Sequence, residues 1–192
     1  MERYIKTYPK AFQKSECDGI IEYFNLQDMN KNLTHTELKD HRHFDEINLN
    51  DFREETLKTQ MSIYERFKSF LAKYKKDAKL HTNTWPENFK FEEIRLKRYR
   101  AGRGNFLDHV DVGSLDSAMR FLVLFVYLND VEEGGGTEFP DLDLTISPVC
   151  GTMLLFPSTW TYLHRGNTPI SNDKYILGSY LHYVWIWTNR NS

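Results

Sequence analysis

The residues that most constrain how this chain can fold are His109-Val110-Asp111 and His164. On an extended strand, residues two apart project to the same face, so His109 and Asp111 can act together. His164 stands on a second short apolar run far along the chain, and bringing it to the pair completes a site across the fold. Two imidazoles and one carboxylate on one side of a metal leave open coordination positions for other ligands. A His-X-Asp pair alone is more often surface polarity. Here it gains weight from its surroundings: an aromatic and glycine-rich loop before it, the later histidine, and Lys174 ten residues after His164.

That ligand set is the facial triad of mononuclear non-haem Fe(II) oxygenases, which keep room for a co-substrate and O2. Such an enzyme must also hold a dicarboxylate that chelates the metal at one end. The far carboxylate then needs a cation inside the fold, and Lys174, flanked by Tyr175, Ile176 and Leu177, is the candidate. Tyr99 and Tyr127 can donate phenolic hydrogen bonds to the same carboxylate, although each taken separately reads first as a core or interface tyrosine with a satisfied hydroxyl. The competing reading of Lys174 is an edge-strand lysine that blunts pairing with other chains.

The chain of 192 residues divides into a helical front and a strand-rich back. Ser15 reads as the N-cap of a helix through Ile20, Ile21, Tyr23 and Phe24. Residues 26–50 are polar and read as a long loop with at most a short element. Asp51 opens the strongest helical pattern, with Leu57, Met61, Tyr64, Phe67, Phe70 and Leu71 recurring at threes and fours, ended by the cations of 73–79. From Phe89 the period changes. Residues 120–128 are almost wholly β-branched or aromatic, as in a strand covered on both faces. Gly134-Gly135-Gly136 marks a turn, residues 151–156 a strand stopped by Pro157, and Lys174 to Trp187 a long final strand. Trp160, Trp185 and Trp187 read as core or cleft wall, and His41-Arg42-His43 as solvated surface or the lip of a cleft.

The expected fold is α+β, mainly β: a double-stranded β-helix (jelly roll, cupin-like) core with N-terminal helices packed on one face. One domain over 1–192 is expected, with 1–88 as helical support and variable loop and 89–188 as the catalytic β core. No apolar run reaches the ~20 residues of a membrane span. Cys17 and Cys150 are too few for a disulfide framework, and the N-terminus has no apolar signal core, so a cytoplasmic protein is expected. A net charge of -2 gives no pull toward nucleic acid or membrane.

Several stretches, taken in order, resemble prolyl 4-hydroxylase-type 2-oxoglutarate/Fe(II) dioxygenases. They are residues 12–21 around Cys17, Tyr99 through Asp111, Tyr127 through Pro140, Gly151 through Pro157, His164-Arg-Gly-Asn167 and Asp173-Lys-Tyr175. The resemblance implies a double-stranded β-helix with His109, Asp111 and His164 on Fe(II), and Lys174 on the distal carboxylate of 2-oxoglutarate with Tyr99 and Tyr127 helping. It also implies O2 as co-substrate, ascorbate as a candidate reductant, and a proline-containing peptide or protein as substrate for a monomer or homodimer. The same chemistry on a free amino acid or other small metabolite, and a non-catalytic β-sandwich binding module, stand as alternatives.

Overall fold

The computed structural model describes residues 1–38 and 41–184. Two helices, α1 (Lys14–Met29) and α2 (Arg53–Asp77), lie against one antiparallel sheet. Its strands in chain order are β1 (Lys6–Tyr8), β2 (Thr34–Leu38), β3 (Arg42–Asn48), β4 (Phe89–Phe91), β5 (Arg95–Tyr99) and β6 (Asn105–His109). There follow β7 (Arg120–Tyr127), β8 (Thr137–Phe139), β9 (Leu144–Ile146), β10 (Met153–Pro157), β11 (His164–Gly166) and β12 (Lys174–Tyr183). The ladder runs β1-β10-β7-β12-β5-β3-β6-β11-β8-β9, with β2 on β3 and β4 on β12. Most neighbours in that order are far apart in sequence, and the sheet curls into the half-barrel of a jelly roll. The fold is mainly β with helical support, as the sequence predicts.

Period-two alternation assigns the two faces of the sheet. Leu122, Leu124 and Val126 of β7 join Leu177 and Leu181 of β12 and Phe24, Phe67 and Leu71 of the helices in one core. Val123 of β7 and Leu154 and Phe156 of β10 belong to a separate inner cluster with Phe139. Residues 120–127 therefore read as a continuous apolar run because helices cover one face and the inside of the roll the other.

Four sequence expectations are corrected. α1 begins at Lys14, capped by Gln13, whose backbone N–H donates to Glu16 Oε2 at 2.7 Å; a reciprocal cap one turn long outcompetes Ser15. The buried stripe of α2 is Thr56, Gln60, Ile63, Phe67, Leu71 and Tyr74, while Leu57 and Met61 face solvent. Two polar residues turn inward because Thr56 Oγ1 and Gln60 Nε2 each donate to the Leu49 carbonyl at 2.9 Å, satisfying a buried acceptor. Residues 26–50 are not a loop: α1 runs to Met29, and β2 and β3 form a hairpin whose second strand inserts between β5 and β6. Trp160 is not core but sits in a turn between β10 and β11, 80% exposed. β12 is described to Tyr183, and Trp185 and Trp187 lie outside the described residues.

Candidate active site

His109 closes β6 and His164 opens β11, and the two are direct partners in the antiparallel register. Strand pairing alone therefore brings residues distant in sequence together, with ring centroids 4.2 Å apart. Asp111 lies just past the end of β6, and one ligand atom from each of the three residues lies within 4.8 Å of the others. Nδ1 of His109 is 2.7 Å from the Leu107 carbonyl and Nδ1 of His164 is 3.0 Å from the Tyr162 carbonyl. A carbonyl can only accept, so each ring carries a proton on Nδ1 and turns Nε2 toward the site. Burial, reinforced by His164, lowers the His109 pKa to about 3, which keeps that ring neutral. Phe106 stacks on the His109 ring at 3.4 Å, and the Arg42 guanidinium lies 4.9 Å from the Phe106 ring centroid on the outer side.

Asp111 is 9% exposed, and its two oxygens are treated differently. Oδ1 accepts a hydrogen bond from the Tyr180 hydroxyl at 2.7 Å. Oδ2 is buried without a hydrogen-bond partner, 3.5 Å from Nε2 of His164. A buried carboxylate oxygen is rarely left unsatisfied, because the desolvation cost is ~1–3 kcal/mol or more for a charged group. With the Nε2 atoms of two histidines beside it, this orphaned oxygen is what a bound divalent metal would satisfy. The two-nitrogen, one-carboxylate set fits Fe(II).

Lys174 opens β12 directly opposite Tyr99 of β5. Its side chain is fully buried, Nζ donating to the Gly135 carbonyl at 2.7 Å and lying 4.6 Å from the Tyr99 ring centroid. Burial alone lowers its pKa from 10.5 to about 7, with no carboxylate opposing the shift. Three other basic residues near the site have carboxylate neighbours, which Lys174 lacks. Arg165 pairs with Asp108 at 3.0 Å and Glu138 at 3.4 Å, Arg120 with Glu92 at 2.7 Å, and Lys97 with Glu46 at 3.3 Å.

The three candidate ligands, Lys174, Tyr99 and Thr137 line one cavity of ≈ 60 Å³. Tyr127 stands behind that wall, fully buried, and its hydroxyl donates to Thr137 Oγ1 at 2.7 Å. Burial raises the pKa of both Tyr99 and Tyr127, so their hydroxyls stay protonated. The cavity adjoins a polar pocket of ≈ 240 Å³ that shares Lys97, Phe106 and Tyr180 with it and is reached by Arg42 and Phe44 of β3. Sequence reasoning missed Tyr180, Lys97, Thr137 and Phe106. Alternation from residues already singled out would have reached two of them. Tyr180 shares a face with Lys174 at even spacing along β12, and Lys97 shares one with Tyr99 along β5.

Residues 94–182 match the family model described as the 2OG-Fe(II) oxygenase superfamily. The match spans 89 of the 192 residues, the β-rich stretch that holds all three candidate metal ligands. No curated protein sequence matches it. Among solved structures, the chain is similar to a viral collagen prolyl hydroxylase from Paramecium bursaria Chlorella virus-1 in its 2OG complex. The two are 23% identical, with 94% of this chain and 97% of that one covered and a TM-score of 0.74. A Trichoplax adhaerens prolyl hydroxylase, in complex with a hypoxia inducible factor oxygen degradation domain peptide fragment, is 12% identical, with 94% and 84% covered and a TM-score of 0.71. A Pseudomonas putida prolyl-4-hydroxylase is 13% identical, with 94% and 93% covered and a TM-score of 0.65. At these identities the likeness establishes the fold.

Proposed function

We propose that the oxygenase hydroxylates a C–H bond on prolyl residues of a peptide or protein, with 2-oxoglutarate decarboxylated to succinate. The observation that carries this reading is a pair of unmet charges facing one cavity: the orphaned Oδ2 of Asp111 and the buried ammonium of Lys174. A metal answers the first and a carboxylate the second, and a chelating dicarboxylate spans both. Fe(II), with 2-oxoglutarate and O2, supplies the oxidation of an unactivated C–H bond.

The chain's own residues supply position and dryness. His109, Asp111 and His164 hold the metal on one side, with Leu107, Tyr162 and Tyr180 fixing the three ligands from behind. Lys174 anchors the far carboxylate, with the Tyr99 ring beneath and Thr137, itself held by Tyr127, on the same wall. Val123, Phe125 and Ile176 line the same cavity with apolar surface that excludes water. The polar pocket beside the ligands is where a polypeptide would lie, and the prolyl-hydroxylase fold of the similar structures supports that substrate class.

Purified protein with Fe(II), ascorbate and 2-oxoglutarate should release succinate in step with proline-containing peptides that gain one oxygen by mass spectrometry. If no such peptide gains oxygen or stimulates succinate release, the prolyl assignment fails. Anaerobic addition of 2-oxoglutarate to the Fe(II) protein should also produce the weak visible charge-transfer band of a chelate. A binding module that keeps only the fold would give none.

A further inference from the structure

The pocket in front of the candidate metal ligands carries more positive charge than the triad and the co-substrate lysine require. Arg42, Arg95, Lys97 and Arg120 line it, against Glu46 and the metal-facing Asp111. Arg120 is neutralised from behind, its Nε and Nη2 donating to the two oxygens of Glu92 at 2.7 and 2.8 Å. Arg95 and Lys97, by contrast, divide a single carboxylate: Arg95 Nη1 lies 3.0 Å from Glu46 Oε1 and Lys97 Nζ 3.3 Å from Glu46 Oε2. Arg42 forms no ion pair among the described residues and stacks on Phe106 at the rim.

Lys97 is the decisive residue. Its side chain is 17% exposed, its ammonium lies 4.5 Å from the Phe44 ring centroid, and it lines both the metal cavity and the polar pocket. Burial lowers its pKa, with Glu46 opposing. Two cations held on one carboxylate in a half-enclosed pocket focus a positive potential on whatever enters.

We propose that this pocket recognises a carboxylate of the substrate, held by Lys97 and Arg95, so that the oxygenase acts on a target bearing an acidic group beside the reacting C–H. The inference rests on the hydroxylase reading of the same cavity and names its substrate class. The co-substrate does not account for these cations, because Lys174 already offers it a buried ammonium with no carboxylate of its own. A planar guanidinium and an ammonium on adjacent strand positions of one face suit a carboxylate held by charge-assisted hydrogen bonds. Two sources can present that group: a Glu or Asp side chain next to the target in a polypeptide, or the carboxylate of a free amino acid.

The test is direct binding, read without turnover. Fluorescein-labelled peptides identical except for Glu, Gln or Lys beside a central proline are titrated with the whole protein and followed by anisotropy. Free glutamate and N-acetylproline serve as unlabelled competitors. The Glu peptide should bind about tenfold tighter than the Gln peptide, with the Lys peptide weakest. Lys97→Met should erase that order, Lys97→Glu should reverse it, and Lys97→Arg should preserve it, each with the circular dichroism of the parent. Displacement by the free acids, without discrimination among the peptides, would keep the carboxylate site and assign it to a small-molecule substrate. Equal binding of all three peptides with no displacement by the free acids, discrimination that survives Lys97→Met, an effect of Lys97→Met on 2-oxoglutarate instead of peptide, or no binding of any probe overturns the proposal. Hydroxylation of Glu and Gln peptides with equal efficiency would sink the carboxylate site and leave the prolyl reading standing. Charge-selective binding without oxygen gain would do the reverse.

Discussion

The Tyr180 hydroxyl sits 2.7 Å from Oδ1 of Asp111, and that bond decides which carboxylate oxygen faces the histidines. Burial, then the Asp111 charge, raises the Tyr180 pKa, so the phenol remains a donor at any ordinary pH. Arg120 lies 3.9 Å from the Tyr180 ring centroid and Glu92 holds Arg120, so the orienting hydroxyl is itself held. Tyr180→Phe should leave the fold intact and weaken Fe(II) binding about 10–100-fold, the usual cost of losing a partner behind a metal ligand. An anaerobic Fe(II) titration checks this, and unchanged affinity would make Tyr180 a packing residue only.

Replacing His109, Asp111 or His164 with Ala should abolish turnover and weaken iron binding while melting temperature holds or rises. Each removes one of three candidate ligands, and Asp111→Ala also removes an unsatisfied buried acceptor. Near-normal succinate release by His164→Ala would overturn the assignment.

Lys174→Ala should weaken 2-oxoglutarate binding by roughly a few hundred-fold or more, since breaking a buried charge pair costs ~3–5 kcal/mol. Lys174→Arg should rescue only in part, because Nζ already abuts the Gly135 carbonyl at 2.7 Å and the Tyr99 ring, leaving a longer planar guanidinium a different fit. Without co-substrate the lysine should be a liability, and Lys174→Met should stabilise the apo-protein. Wild-type 2-oxoglutarate affinity in Lys174→Ala would make the lysine structural. Arg165 and Arg120, the other basic candidates, are already paired with carboxylates.

The same lysine sets a pH dependence. Burial lowers its folded pKa from 10.5 to about 7, so between those values the unfolded chain binds the extra proton. Its contribution to apo-protein stability therefore rises as pH rises through that window, by up to something on the order of 4 kcal/mol. Co-substrate binding needs the ammonium, so 2-oxoglutarate affinity should fall about tenfold per pH unit above 7 until the pKa of the complex is reached. Calorimetric titrations at pH 6.5, 7.5 and 8.5 check this, and Lys174→Met should be flat across them.

The grouping of His109 with Asp111 was legible as a His-X-Asp pair at the end of an extended run, although Asp111 itself lies just past the end of β6. Lys174 was noticeable as a charge at the head of a largely apolar strand, where it is fully buried. β3 was not. Its sequence, Arg42-His-Phe-Asp-Glu-Ile-Asn48, looks solvated, yet Asp45 faces Arg98 and Glu46 faces Lys97 in register across β5. Charges that satisfy one another across strands erase the apolar alternation by which a strand is recognised, and only the partner strand reveals the pairing. The inward Thr56 and Gln60 of α2 were hidden in the same way, since their partner is a carbonyl in the preceding turn.

That cross-strand pairing makes Asp45 the residue on which the pocket's outer wall depends. Asp45 is 6% exposed and accepts from Arg98 Nε at 2.9 Å and Nη2 at 2.6 Å, and from Arg100 Nε at 2.9 Å, with His35 Nδ1 at 2.6 Å. Burial pushes its pKa up, but His35, Arg98 and Arg100 together outweigh this and hold it below the ordinary carboxylate value. A depressed carboxylate contributes stability above its unfolded pKa, near 4, and loses it as pH falls through the folded value. Asp45→Ala leaves the buried Arg98 with Asp28 at 2.8 Å as its remaining carboxylate, and should cost ~3–5 kcal/mol, or roughly 10 °C in melting temperature. Because β3 carries Arg42, Phe44 and Glu46 to the polar pocket while Lys174 sits on β12, the variant should lose peptide binding before it loses 2-oxoglutarate. Equal loss of both would mean that β3 supports the metal cavity as a whole instead of its outer wall alone.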